Sequence, residues 1–268
     1  MKLSIIVTHY KTPELLKLCL GSLVEASAGI ETEIFVLDSE SQDETEAMVK
    51  HDFSSVSFIP FKKNTGYAKI VNAGLGKAQG DFLLVLNADI IVAKDALSKM
   101  IEYLDQNSEI GVLGPQLLNF NNTVQASYFR FHRPMTIFYR RTWLGRLPWG
   151  KKELAKFEMK EVDKSKIFES DWILGAALMI KKEALAQVGL MDERFFMYFE
   201  DTDWCRRFWK KKWKVVYFPE AKMHHYHGRA SKKSNALSDV FINKYLWIHM
   251  SSALKYFWKW RGDLKNQT

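Results

Sequence analysis

The chain has 268 residues, of which 47% are hydrophobic and 26% charged, as is ordinary for a globular protein of one large or two small domains. Its two cysteines, Cys19 and Cys205, lack CxxC spacing, which argues against a disulfide scaffold or a zinc–thiolate site and for a reducing compartment. The net charge of +8 points to an anionic partner. No apolar run reaches the ~18 residues of a membrane span, and the first residues predict a strand, not a signal peptide.

The first half of the chain alternates short apolar runs with amphipathic segments. The predicted strands are Leu3–Val7, Glu33–Asp38, Val56–Pro60 and Phe82–Asn87. The predicted helices are one that begins at Pro13 with Thr12 as its N-cap, then Glu44–His51, Ala68–Gly76 and Lys94–Asn107. Strands that alternate with helices predict an α/β fold with a parallel, doubly wound sheet.

The second half is less regular. Residues 127–169 show little periodicity and are expected to form loops and short helices. The predicted strands here are Ile110–Leu118, Trp172–Ile180 and Val215–Pro219, and the predicted helices are Lys182–Val188, Thr202–Lys211 and Leu237–Trp260. The last of these is long and amphipathic, and we expect it to form a C-terminal extension.

Polar residues follow the predicted strands at the edge where an open α/β sheet binds ligands. Thr8-His9-Tyr10 follows the first strand, and Asp38 ends the second, where it could accept from the imide N–H of a pyrimidine base. Asp43, a little further on, could instead cap a helix. Asn87-Ala88-Asp89 ends the fourth strand and could hold Mg²⁺ or Mn²⁺ through Asp89, because these ions prefer oxygen ligands. The alternative is a simple strand-end turn.

Three carboxylates, Glu200, Asp201 and Asp203, occur in four residues directly after the apolar run Phe195–Phe199. Like charges this close repel, and burying them without partners is costly. The cluster therefore predicts a general base in a semi-enclosed site, with helix capping by Asp201 as the alternative.

Histidines form a second cluster later in the chain, at positions 224, 225 and 227. Any one of them could supply a metal ligand. A lone histidine is more often structural, but three imidazoles in four residues favour a ligand among them.

Two segments combine basic and aromatic residues. Residues 128–152 contain seven Arg or Lys and no Asp or Glu, and residues 256–261 read Tyr-Phe-Trp-Lys-Trp-Arg. This composition suits an anionic membrane surface or a nucleic acid. A solvated basic face above packed aromatic side chains is the third interpretation.

From Leu3 to about Ser231 the chain resembles the inverting family 2 glycosyltransferases with the GT-A fold, nearest the bacterial rhamnosyltransferase-like branch. The motifs that carry the resemblance are Cys19-Leu20-x-Ser22-Leu23, Val36-Leu37-Asp38-Ser39-x-Ser41-x-Asp43, Asn64-x-Gly66-Tyr67-Ala68 with Asn72-x-Gly74, Leu86-Asn87-Ala88-Asp89, Gly175-Ala176-Ala177-x-Met179-Ile180, the run Val188–Arg207 with Glu200-Asp201-x-Asp203, and Pro219-Glu220-Ala221 before His225. The chain departs from the family at Asn87, often Asp, and after His225, where glycines are usual.

The resemblance implies a role for each matching residue. Asp201 would be the catalytic base and Glu200 would orient the substrates. Asp89 and His225 would bind Mn²⁺ or Mg²⁺. The nucleotide-sugar would contact Thr8, Tyr10, Asp38, Ser39, Asn64, Gly66, Tyr67, Asn72, Asn87 and Ala88. The acceptor or the transferred sugar would contact Trp172, Gly175 and Ala176.

The resemblance also implies an activity and a domain plan. Residues 1–118 would bind a dTDP- or UDP-sugar, residues 119–232 would carry the acceptor and catalytic half, and residues 233–268 would form the extension. The enzyme would move a hexose, with rhamnose as best guess, to a lipid-linked or oligosaccharide acceptor on the inner face of the cell membrane, without nucleic acid and with a homodimer as an open alternative. The competing classes are a sugar-phosphate nucleotidyltransferase, which would want a glycine-rich loop where Thr8-His9-Tyr10 stands, and a non-enzymatic basic nucleic-acid- or membrane-binding protein.

Overall fold

The structure is a computed structural model that describes residues 1–40, 43–226 and 244–264. The strands are β1 (Leu3–His9), β2 (Thr32–Ser39), β3 (Ser57–Phe61), β4 (Phe82–Asn87), β5 (Ile90–Val92), β6 (Ile110–Leu118), β7 (Tyr128–Phe129), β8 (Phe168–Glu169), β9 (Trp172–Ile173), β10 (Ala177–Lys181) and β11 (Lys214–His225). The helices are α1 (Pro13–Ala26), α2 (Asp43–Asp52), α3 (Tyr67–Leu75), α4 (Ala96–Gln106), α5 (Pro134–Arg141), α6 (Pro148–Phe157), α7 (Lys182–Val188), α8 (Glu200–Lys210), α9 (Lys244–Lys259) and α10 (Arg261–Leu264).

The main sheet runs in the order β3-β2-β1-β4-β10-β6-β11-β5, with β8 paired to β11. Strands β1 to β4 are mutually parallel, as are β6 and β11, while β10 lies antiparallel between β4 and β6. One hydrophobic cluster packs α1 and α4 on one face of this sheet, and another packs α3, α7 and α8 on the other. The prediction of a mostly parallel, doubly wound α/β sheet is therefore confirmed.

Burial on both faces explains why the central strands are continuous apolar runs. In β4, Leu84 and Leu86 point into one cluster while Leu83 and Val85 point into the other. Parallel strands that are covered by helices on both sides consist mainly of apolar residues. Polar residues consequently collect at the strand ends, where the site lies.

Two of the predicted strands were wrong in extent. The run Trp172–Ile180 is two strands, because the chain leaves β9 at Leu174 and joins the main sheet only at Ala177. The last strand continues well beyond Pro219 to His225, because a register shift between Phe218 and Lys222 accommodates the proline. Helix α8 also begins at Glu200, two residues earlier than predicted.

The C-terminal helix α9 packs against the rest of the chain. Its Ala253 and Tyr256, with the following Trp260, form a small cluster with Phe195 and Phe199. The predicted helix start at Leu237 and the predicted boundary between residues 232 and 233 lie outside the described residues. Within the described ranges, the helices are all too short or too polar to cross a membrane.

Candidate active site

The ends of β1, β2 and β4 bring predicted site residues together. Strand register places His9 opposite Asp38 and Thr8 opposite Asn87. The Thr8 hydroxyl donates to Asn87 Oδ1 at 3.0 Å, and the Ala88 N–H donates to the Thr8 carbonyl at 2.9 Å. This edge of the sheet is therefore pre-ordered by its own hydrogen bonds.

His9 fixes Asp38, a contact that the sequence did not reveal. The Thr12 N–H donates to His9 Nε2 at 3.0 Å, so Nδ1 carries the ring proton and donates to Asp38 Oδ1 at 2.6 Å. Both side chains are almost completely buried. The imidazole thus holds the Asp38 carboxylate in one orientation at the predicted base-binding edge.

Asp89 and His225 form a pair that suits a divalent cation. His225 Nε2 lies 3.5 Å from Asp89 Oδ1, and that oxygen is buried without a hydrogen-bond partner. The ring's Nδ1 bonds the amide oxygen of Gln125 at 2.6 Å, which leaves the Nε2 lone pair directed at the carboxylate. A carboxylate oxygen and an imidazole nitrogen are a donor set that fits Mn²⁺, and the orphaned oxygen supports that fit. A third His, Cys, Asp or Glu does not join them within the described residues.

The neighbouring histidine points away from this pair. Alternation along β11 directs His224 toward Asn122, whose side-chain oxygen lies 2.9 Å from its Nε2. His227 lies outside the described residues. Of the two described histidines of the cluster, only His225 faces Asp89.

Gly175 links Asp201, the predicted base, to Tyr67, the residue that begins α3. Its N–H donates to Asp201 Oδ2 at 3.0 Å, and its carbonyl accepts from the Tyr67 hydroxyl at 2.6 Å. The other oxygen of Asp201 accepts from the Thr202 N–H at 2.7 Å. The carboxylate of Asp201 is thereby oriented by two backbone groups.

Glu200 lies beside Asp201 and has fewer backbone hydrogen bonds to its carboxylate. It is 6% exposed, and its Oε2 is buried without a hydrogen-bond partner. Burial, followed by the charge of Asp201, raises the pKa of Glu200 well above its usual value. Burial also raises the pKa of Asp201, while the N–H groups of Gly175 and Thr202 oppose that rise. Asp201 is therefore the carboxylate that ionises more readily.

Tyr67 connects the two ends of the site. Burial raises the pKa of its phenol, and the charges of Glu200, Asp201 and Asp89 raise it further, in that order. The Tyr67 hydroxyl therefore lies in the electrostatic field of all three carboxylates. Tyr67 stays protonated as a result and serves as a hydrogen-bond donor.

The loop before α3 is docked on the loop before α8. Asn64 Oδ1 accepts from the Gly66 N–H at 3.0 Å, and the Tyr67 N–H donates to the Phe196 carbonyl at 2.8 Å. Gly66 has φ +94°, and a Cβ there would lie 2.6 Å from the Phe196 oxygen. Only glycine fits this position without moving one of the loops.

Asp203 belongs to a different contact, although it lies two residues from Asp201. It is fully buried and accepts from Arg207 Nε at 3.1 Å, from Lys259 Nζ at 2.8 Å and from Trp260 Nε1 at 2.9 Å. The carboxylate therefore anchors the C-terminal helix to α8, and its role is structural.

Two further hydrogen bonds join α9 to the loop that leads into Glu200 and Asp201. The Ser252 hydroxyl donates to the Met197 carbonyl, and Lys255 Nζ donates to the Arg194 carbonyl, each at 2.8 Å. Tyr198 and Phe199 both have φ of +69°, a strained conformation for side chains of this size. Helix α9 thus holds the strained backbone that leads into Glu200.

The remaining predicted site residues differ in burial and in their hydrogen-bond partners. Tyr10 is exposed, and the Ser39 hydroxyl is buried without a partner near the same edge. Asn72 lies on α3, where its side-chain N–H donates to the Met191 carbonyl and its side-chain oxygen accepts from the Met191 N–H, so it ties α3 to the loop after α7. Trp172 is buried and donates to the Arg130 carbonyl, and the Ala176 carbonyl accepts from the Asn87 N–H.

Residues 4–163 match the family described as Glycosyl transferase family 2, which is more than half of the chain. The chain belongs to glycosyl transferase family 2. It is 25% identical over 257 residues to the N-acetylglucosaminyl-diphospho-decaprenol L-rhamnosyltransferase of Mycobacterium tuberculosis H37Rv, covering 87% of this chain and 80% of that protein. Family membership favours a glycosyltransferase over the two alternatives weighed from the sequence, a sugar-phosphate nucleotidyltransferase and a non-enzymatic binding protein.

Solved structures of glycosyltransferases share the fold. GalNAc-T7 with UDP, GalNAc and Mn²⁺ matches with a TM-score of 0.61 at 17% identity, over 84% of this chain and 44% of its own. The mannosyltransferase PcManGT of Pyrobaculum calidifontis, with GDP-Man and Mn²⁺, matches with a TM-score of 0.59 at 16% identity, over 86% of this chain and 58% of its own. The fold of this family 2 glycosyltransferase is therefore GT-A, as the resemblance implied.

Proposed function

We propose that this glycosyltransferase is an inverting, metal-dependent hexosyltransferase that moves a sugar from a nucleotide-sugar to a lipid-linked glycan acceptor. The observation that carries the proposal is that the segment Gly175-Ala176 contacts both parts of the site: the Gly175 N–H donates to Asp201, and the Ala176 carbonyl accepts from the N–H of Asn87, two residues before Asp89. A group that takes a proton and a group that suits a diphosphate-bound cation are thus parts of one site. The mycobacterial relative makes dTDP-rhamnose the first donor to test, with a diphospho-polyprenol saccharide as acceptor.

The mechanism follows from the orientation of Asp201. An acceptor hydroxyl gives its proton to the carboxylate as its oxygen bonds the anomeric carbon, and the bond from that carbon to the nucleoside diphosphate breaks. Gly175 and Thr202 hold the carboxylate through the reaction. Burial raises the pKa of Glu200 well above its usual value, which favours its protonated form, and in that form it can donate to the sugar or the acceptor. Positioning and charge stabilisation provide most of the rate.

Asp89 and His225 would hold Mn²⁺ or Mg²⁺, with Gln125 fixing the imidazole. A bound divalent cation would supply Lewis-acid neutralisation of the diphosphate. Because Asn87 contributes no charge, the protein offers the cation one carboxylate, and we expect tight binding only together with the nucleotide diphosphate.

A panel of nucleotide-sugars tests this function. The protein should hydrolyse one of them slowly, transfer its sugar faster when acceptor is present, and give a product whose anomeric configuration, read by NMR, is opposite to that of the donor. EDTA should abolish the transfer. A retained configuration would contradict the single displacement, and full activity in EDTA would contradict the role of the cation.

The second element of the proposal is attachment to the inner face of the cell membrane. Large apolar side chains are exposed on both basic-aromatic segments, and those of α9 recur every three or four residues at Trp247, Met250, Leu254 and Trp258. Residues Met135, Phe138, Trp143 and Trp149 are exposed on the first segment. The side chain of Ile137 on α5 packs against the α9 cluster, so the two segments adjoin. Exposed aromatic and basic residues together suit a surface of anionic lipid.

Liposome flotation tests the attachment. The protein should float with anionic vesicles at low salt and less at high salt, and the double substitution of Trp247 and Trp258 to Ala should reduce the floated fraction. Leu18→Ala on α1, which removes an equally exposed apolar side chain elsewhere, should have no effect. Equal recovery in the soluble fraction under all conditions would contradict the proposal and leave a homodimer as the occupant of this face.

A further inference from the structure

Two imidazoles, the buried one of His132 and the half-buried one of His249, flank the aromatic residue just before Glu200 and Asp201. The Phe199 ring lies 4.8 Å from the ring of His132 and 5.3 Å from that of His249. The Nδ1 atoms of both histidines are buried without a hydrogen-bond partner, and His132 is only 4% exposed. Buried polar atoms are seldom left unpaired, because the desolvation is costly. These nitrogens therefore indicate a ligand.

Two arginines at the end of α5 belong to the same cluster. The Arg140 guanidinium lies over the Phe157 ring at 5.3 Å, and that ring contacts His132 at 4.8 Å. Arg141 acts electrostatically on His249 and on Tyr198. Among the described residues, neither arginine forms an ion pair, and Glu158 acts on Arg140 only through its field.

The charges of this cluster are therefore not balanced. Burial and the field of Arg140 lower the pKa of His132 to about 3. Burial and the fields of Arg141 and Arg140 lower the pKa of His249 to about 4. Both imidazoles are neutral at pH 7, each with one N–H to donate, while the two guanidiniums stay charged. The combination of neutral donors with two uncompensated cations suits an anion that has several acceptor oxygens.

The cluster adjoins the catalytic pair but is separate from the metal site. Glu200 directly follows Phe199. Its Oε2, like the Nδ1 atoms of the two histidines, is buried without a hydrogen-bond partner. Asp89 and His225 contribute nothing to the cluster. An anion bound here would lie on the acceptor side of the reaction, since the donor's diphosphate is the proposed ligand of Asp89 and His225.

We propose that His132, Arg140, Arg141 and His249 bind the phosphate or diphosphate of the acceptor. This anion would lie beside the acceptor hydroxyl that contacts Glu200 and Asp201. This inference rests on the proposed function and specifies its acceptor as a saccharide phosphorylated at its reducing end. Because the anion site adjoins the base, the glycosylated hydroxyl belongs to a sugar close to that phosphate. Both arginines are exposed, so their guanidiniums are accessible to such an anion.

Calorimetry in EDTA tests the site without depending on turnover, and EDTA suppresses binding of diphosphates through a cation. The probe is N-acetylglucosamine diphosphate on a ten-carbon isoprenoid chain, and the comparison is the same chain as a neutral glycoside. Wild-type protein should bind the diphosphate at least about tenfold more tightly, as a charge-assisted contact would give. Equal affinity for the two compounds would overturn the proposal.

Substitution of single residues locates the anion. Arg140→Gln and Arg141→Gln should each weaken binding of the diphosphate about tenfold or more and leave binding of the neutral glycoside unchanged. Arg146→Gln, an exposed arginine of the same segment, is the matched control and should bind like wild type. His249→Phe should also weaken diphosphate binding, since it removes the N–H and keeps a ring of similar shape. Unchanged affinities in Arg140→Gln and Arg141→Gln would refute the site.

A phospholipid headgroup offers the same chemistry as the acceptor phosphate, so flotation on anionic vesicles separates the two sources. If the arginines serve lipid headgroups, Arg140→Gln and Arg141→Gln will lower flotation without changing the affinity for the diphosphate, which overturns the proposal. Failure of wild-type protein to transfer any sugar, with diphosphate binding intact and lost in the variants, would contradict the proposed function and support this site.

Discussion

Asp201 and Asp203 lie two residues apart in α8 yet have different roles, so amide substitutions of the two should have opposite effects. Asp203→Asn removes a fully buried charge that accepts from Arg207, Lys259 and Trp260. Charged hydrogen bonds contribute about 1.5–3 kcal/mol each, but Arg207 and Lys259 keep 19% and 21% of their exposure and can rehydrate. We therefore expect a loss of about 2–4 kcal/mol, which lowers Tm by roughly 5–15 °C in a domain of this size.

Asp201→Asn should behave in the reverse way. It removes a desolvated charge whose pKa is already raised, so the unfolding free energy should stay equal or rise. Turnover should fall about 10²–10⁴-fold, the usual contribution of a general base. The measurements are thermal unfolding and sugar transfer for both variants side by side. An unaltered Tm in Asp203→Asn, or near-normal turnover in Asp201→Asn, would refute this division of roles.

Three further predictions concern the metal site, the pH dependence of stability and the loop before α3. His225→Ala should raise the Mn²⁺ concentration for half-maximal activity at least about tenfold, whereas His224→Ala should not; equal effects would contradict the assignment. Burial raises the pKa of Glu200, so the folded state binds more protons than the unfolded state, and wild-type stability falls as pH rises from the ordinary pKa toward the raised one; Glu200→Gln should unfold at a higher temperature by a margin that grows with pH through that range. A margin independent of pH would exclude this cause. Gly66→Ala should lose both activity and stability through clash and backbone strain, while Gly21→Ala, with open space around it, should stabilise by up to about 1 kcal/mol; similar behaviour of both would refute the loop contact.

The sequence predicted the sheet edge because apolar runs locate strands, and parallel strands bring their ends together. It did not separate His224 from His225, since the register shift between Phe218 and Lys222 changes which face later residues take. The interruption between β9 and β10 was equally hidden. There the Gly175 N–H donates to Asp201, a tertiary contact that leaves no local pattern in the sequence.

The residues that orient others were also invisible in the sequence. His9 and Gln125 fix a carboxylate and an imidazole through tertiary contacts, which leave no local pattern of spacing. His132 lies in a segment that the sequence marked only as basic and aromatic. Its significance comes from the rings that bury it, and these derive from α6, β9 and the loop before α8.

Helix α9 has an inner face that hydrogen-bonds the loop before Glu200 through Ser252 and Lys255. Its outer row exposes Trp247 and Trp258 to solvent. Anyone who shortens the chain to improve its solubility would remove both faces at once, and with them the brace on the strained backbone at Phe199. A soluble form that still works must keep the helix and change only its outer row. In the proposed attachment, a surface bound to the outer row would lie one helix diameter from the loop that leads into Glu200.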